Sequence, residues 1–97
     1  MYAVFDVKPE AKANGDAVLQ DDVVSRQSIA VREGRALGFP DHGLLYLIEG
    51  AESVLARAEE LFRGFGPKLA PEPARAVYEA IKSQEDDVAS GIGMIFG

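Results

Sequence analysis

Apolar and polar residues alternate at the start of the chain, with Ala3, Phe5 and Val7 on one side and Tyr2, Val4 and Asp6 on the other. That period of two predicts a strand over Tyr2–Val7 with one well-buried face. Residues 8–16 are polar, with Pro9 near the start and Asn14-Gly15 near the end. They predict a loop with at most one helical turn at the proline, because Gly15 argues against a longer helix. In 17–24, Val18-Leu19 and Val23-Val24 flank Gln20-Asp21-Asp22, which fits a short turn or a helix equally well. Alternation returns over 27–33 and puts Ile29 and Val31 on one face of a second strand, ending at Gly34. Residues 36–43 hold Gly38, Pro40 and Gly43 and read as a loop. The unbroken apolar run 44–48 lies between Gly43 and Gly50 and predicts a central strand covered on both faces.

The period then changes. Val54, Leu55, Ala58, Leu61 and Phe62 follow helical spacing, with Arg57, Glu59, Glu60 and Arg63 off the stripe and Gly64 placed for a left-handed cap. A helix with all five of those apolar residues on its inner face should pack on the strand 44–48. A second helix starts near Pro71 to Pro73, buries Ala74, Val77, Tyr78 and Ile81, and stops in Glu85-Asp86-Asp87. The short glycine-punctuated end, 91–97, reads as a last strand carrying Ile92, Met94, Ile95 and Phe96. This order predicts one α+β domain over 1–97, a small two-layer sandwich. The nearest plan is ferredoxin-like: a mixed or antiparallel sheet of about four strands with two helices on one face.

Composition supports a folded globule: Leu, Ile, Val and Phe make up 27 of the 97 residues, above the ~20% below which chains tend to disorder. Cysteine is absent, so disulfides and thiolate metal sites are excluded. The start of the chain lacks the basic and apolar regions of a secretion signal, and no apolar run approaches the ~20 residues of a membrane helix. These features predict a cytoplasmic protein. A net charge of −6 gives no basic footprint for nucleic acid and disfavours anionic membranes.

The chemistry-bearing residues are few. His42 is the single histidine and follows Asp41. A carboxylate could orient it as a general base, but adjacent loop residues point apart, and a solvated pair is the plainer reading. Glu49 and Gly50 stand before the first clear helix, where free N–H groups favour anions; Glu49 and Glu52 already bring negative charge there. Arg26, Arg32 and Arg35 form the one basic stretch. If Arg26 and Arg32 share a strand face, they could bridge a small anionic ligand; otherwise they protect a sheet edge.

The remaining motifs have plain structural readings. Gly64-Phe65-Gly66 and Gly91-Ile92-Gly93 do not complete a dinucleotide fingerprint. Asp21-Asp22 and 85–87 lack the spacing of a calcium loop and read as solvated acidic runs. No cofactor or metal is implied.

Two functions fit. The first is a non-catalytic binding or assembly module that self-associates through its sheet as a homodimer or higher homo-oligomer, with the apolar last strand as the contact. The second is a small enzyme or anionic-ligand sensor, with Arg26, Arg32, His42 and Glu49 gathered around one pocket. Convergence of those four side chains in a concavity would favour the second.

Overall fold

The computed structural model describes residues 1–96, with side chains described through Glu85. Three strands, β1 (Tyr2–Val7), β2 (Ser28–Glu33) and β3 (Leu44–Glu49), form one antiparallel sheet in the order β1-β3-β2. Four helices accompany them: α1 (Lys12–Val18), α2 (Gly34–Leu37), α3 (Glu52–Phe62) and α4 (Pro71–Phe96). Short 3-10 turns at Pro9–Ala11 and Val24–Arg26 lead into α1 and β2.

β3 is central, as its unbroken apolar run requires. Leu44, Tyr46 and Ile48 face one side and Leu45 and Leu47 the other, and all are buried. Each side therefore needs its own cover. On the first, Phe5, Tyr46 and Ile48 meet Leu55, Ala58 and Phe62 of α3, with Val18 of α1 and Val24 closing the margin. On the second, Val4, Leu45 and Leu47 meet Ala74, Val77 and Ile81 of α4. Of the five residues expected on the inner face of α3, Leu55, Ala58 and Phe62 are buried, while Val54 and Leu61 are only half-buried.

The fold is thus α+β with a helix-covered antiparallel sheet, but it departs from the sequence-based expectations in three ways. The sheet has three strands, not four: residues 91–96 continue α4, so the expected terminal strand is helical backbone. The side chains of Ile92, Met94, Ile95 and Phe96 lie outside the described ones. The two long helices sit on opposite faces, because both faces of β3 are apolar. A helix also forms across Gly15. A β-carbon there would come 2.7 Å from Cζ and Oη of the buried Tyr46, so close packing fixes the residue that lowers local helix propensity.

The two sheet edges differ. Outside β1, Asp6 N–H donates to the Pro67 carbonyl at 3.0 Å and Leu69 N–H to the Val4 carbonyl at 2.9 Å. A one-residue bridge from Phe5 to Lys68 lies between them, so the linker from α3 to α4 closes that edge. At β2, Gly34 N–H donates to the Gly43 carbonyl at 2.7 Å and extends the ladder to β3. The antiparallel alternation then directs the backbone of Ser28, Ala30 and Arg32 toward β3, and that of Ile29, Val31 and Glu33 outward. Among the described residues, no backbone group pairs with the outward groups of Ile29 and Val31, while Glu33 caps the start of α2.

Candidate functional site

The four residues expected around one pocket, Arg26, Arg32, His42 and Glu49, do not converge. Arg26 lies in the turn before β2, is exposed, and reaches Asp22 at 3.5 Å. Arg32 lies on β2, where its Nε donates to Gln84 of α4 at 3.3 Å and its guanidinium caps the Val31 carbonyl at 2.9 Å. Glu49, at the end of β3, is paired with Lys82 of α4 at 3.3 Å. Burial works to raise the Glu49 carboxyl, but hydrogen bonding and charge from Lys82, with help from Tyr78 and Ser28, hold it below its ordinary value. Lys82 also lies 5.4 Å from the centroid of the Tyr78 ring, which stacks on Tyr2 at 4.1 Å. The Gly50 N–H is taken by the Met1 carbonyl at 3.0 Å, which extends the β1–β3 ladder.

The adjacent acidic residues Asp21 and Asp22 have structural partners. Asp21 takes both arms of Arg57, at 2.8 and 2.6 Å, and accepts the N–H groups of Val23 and Val24. Asp22 holds Arg26. Gly64 adopts a φ of +95°, the left-handed turn expected after α3. At Gly66 a β-carbon would come 2.7 Å from Phe62 Cδ1, so the Gly-x-Gly sequence serves a turn and close packing.

His42 and Arg35 do share a concavity. The pocket lies at the end of the sheet and has a volume of about 370 Å³; Lys12, Glu33, Gly34, Arg35, His42 and Gly43 are among its walls. His42 is oriented by Asp6, not by its neighbour Asp41. Its Nδ1 lies 2.6 Å from Asp6 Oδ2, and Asp6 Oδ1 accepts the Gly43 N–H at 2.9 Å. An ionised carboxylate only accepts, so this geometry places the proton on Nδ1 and leaves Nε2 as the second functional nitrogen. The two side chains are 28% and 22% exposed, enough enclosure to hold the ring in one orientation.

Asp6 and Lys12 were not among the residues picked from the sequence. Asp6 carries a faint signal there, since it is the one charged side chain within β1. What joins it to His42 is the pairing of β1 with β3, which brings Val7 opposite Leu44. A larger depression of about 660 Å³ lies between α3 and the start of α4, against Tyr2, Leu55, Leu69 and Ala74. Its titratable residues, among them Glu52, Glu59 and Lys68, include one ion pair, Lys68 with Glu59 at 3.1 Å.

Comparison of the chain with protein-family models, with curated proteins and with solved structures finds no match. Among the described residues no helix is long and apolar enough to cross a membrane.

Proposed function

We propose that the chain is a non-catalytic assembly module that self-associates through its sheet, with the outer edge of β2 as the contact. One observation carries this reading. The edge of β1 is closed by the chain's own linker, whereas the outward N–H and C=O groups of Ile29 and Val31 have no backbone partner among the described residues. Such an edge is a template for another strand.

A second copy of the same strand suits it. An antiparallel pair centred on a two-fold axis at Val31 sets Val31 against itself, Ile29 against Glu33, and Ala30 against Arg32. No like charges oppose one another in that register. The Arg32 guanidinium on the Val31 carbonyl guards the edge in the single chain and must release it on pairing. The dispersal of Arg26, Arg32, His42 and Glu49 favours this reading over an enzyme built on those four residues.

Sedimentation at micromolar concentration tests it. The expected result is a dimer that Val31→Pro converts to a monomer with unchanged circular dichroism. Proline at 31 removes an outward N–H and leaves the ladder to β3 intact. A single wild-type species at 10.4 kDa, or a dimer indifferent to Val31→Pro, would overturn the proposal.

A further inference from the structure

We infer that the pocket walled by Lys12, Arg35 and His42 is a binding site for a phosphate group, free or as a monoester. The argument starts from charge. The chain carries −6 overall, yet this concavity brings Lys12 and Arg35 together with one carboxylate in its own wall, Glu33, while Asp16 and Asp6 engage Lys12 and His42 from outside it. Among the described residues, Arg35 makes no ion pair and no side-chain hydrogen bond, so its planar fork of donors remains available to an oxyanion. Lys12 is held at 2.6 Å by Asp16, one helical turn further along α1.

The second element is the imidazole. Asp6 engages Nδ1, and Asp6 is itself anchored by the Gly43 N–H, so His42 enters the site in a fixed orientation. Nε2 then accepts from a P–OH when the ring is neutral and donates to a phosphate oxygen when it is charged. Hydrogen phosphate satisfies both a cationic fork and a lone-pair acceptor, because it carries acceptor oxygens and an O–H. A carboxylate anion offers only acceptors.

The charged and titratable groups around the ring are Asp6 behind it, Lys12, Glu33 and Arg35 in the pocket wall, and the adjacent Asp41. The edge of Phe39, 6.3 Å between centroids, flanks it on the apolar side. A volume of about 370 Å³ is at the small end of the roughly 300–1,000 Å³ usual for ligand pockets and suits a compact anion. No serine, threonine or cysteine lies in the wall, so binding is proposed and covalent transfer is not.

His42 is the only histidine, so its imidazole resonances are assigned without ambiguity. The test is titration of the full chain with inorganic phosphate at constant ionic strength, following the His42 ring and the Arg35 Nε–H by NMR. Saturable shifts at both groups are expected. Arg35→Gln, which removes no contact found in the fold, should weaken binding at least about fivefold, a modest loss for a charge-assisted pair. Acetate at equal ionic strength should bind more weakly than phosphate. A parallel titration with methyl phosphate separates the sources: tighter binding identifies a phosphorylated small molecule, and equal or weaker binding identifies free phosphate. Linear, unsaturating shifts, or an affinity unchanged in Arg35→Gln, would overturn the assignment whatever the oligomeric state.

Discussion

The ring of Tyr46 rests against the bare Cα of Gly15, and its hydroxyl donates to Asp16 Oδ1 at 2.9 Å. Tyr46 is wholly buried, so the space a methyl group at 15 would need is already filled by a side chain that cannot swing away. Gly15→Ala should therefore destabilise the protein. The helix-propensity gain of about 1 kcal/mol is opposed by overpacking of typically 1–3 kcal/mol. A lower midpoint in urea is expected, and a higher one would contradict the packing described.

Tyr46 also links stability to alkaline pH. Burial, together with the hydrogen bond to Asp16 and its charge, pushes the phenol from its ordinary 10.0 up to about 12. A raised pKa stabilises the fold fully below pH 10 and loses that contribution as pH climbs toward 12. The stability difference between wild type and Tyr46→Phe should be flat up to pH 10 and shrink across that window. Thermal melts at several alkaline pH values check it, and a difference that stays flat to pH 12 would dissociate the phenol from the effect.

The acid side belongs to Asp21. The Arg57 fork holds its carboxyl well below the ordinary 3.8; burial opposes this, and the Val23 and Val24 N–H groups assist it. A depressed pKa gives stability that is present above pH 3.8 and fades as pH falls further. Asp21→Asn and Arg57→Lys should each lower the melting temperature at pH 7, since Lys cannot reproduce the fork. For Asp21→Asn, the gap from wild type should narrow as the pH drops below that value. Melts from pH 7 down to the acid limb measure it.

Within α3, Phe62 is the anchor. Its ring is stacked on Phe5 at 4.3 Å, meets Tyr46 edge-on at 5.5 Å, and is fully buried. Phe62→Ala should cost about 3–5 kcal/mol. Leu61→Ala should cost less than the 2–5 kcal/mol of an enclosed leucine, because Leu61 is only half-buried. Equilibrium urea unfolding of the two variants decides the ranking, and a larger loss at Leu61 would mean that the helix is rotated.

Much of the architecture was legible because it is written in local periodicity. Alternation marked β1 and β2, the unbroken run 44–48 marked β3 as central, and helical spacing marked α3 and the start of α4. The same local signals misled where packing opposes them. Gly15 reads as a break until Tyr46, thirty-one residues on, demands the gap. The apolar end reads as a strand because glycines at 91 and 93 disfavour a helix, yet α4 continues through them.

By itself, then, the sequence determined the α+β class, the central place of β3 and the absence of thiol chemistry, since each follows from residue type and short-range period. Only the tertiary structure decided which residues meet. It put α3 and α4 on opposite faces, paired His42 with Asp6 instead of Asp41, gathered Lys12 and Arg35 beside that pair, and left the outer edge of β2 without a backbone partner among the described residues. These relations depend on strand register and on how two apolar faces share their cover. Both are settled by contacts between residues far apart in the chain, and no local pattern encodes them.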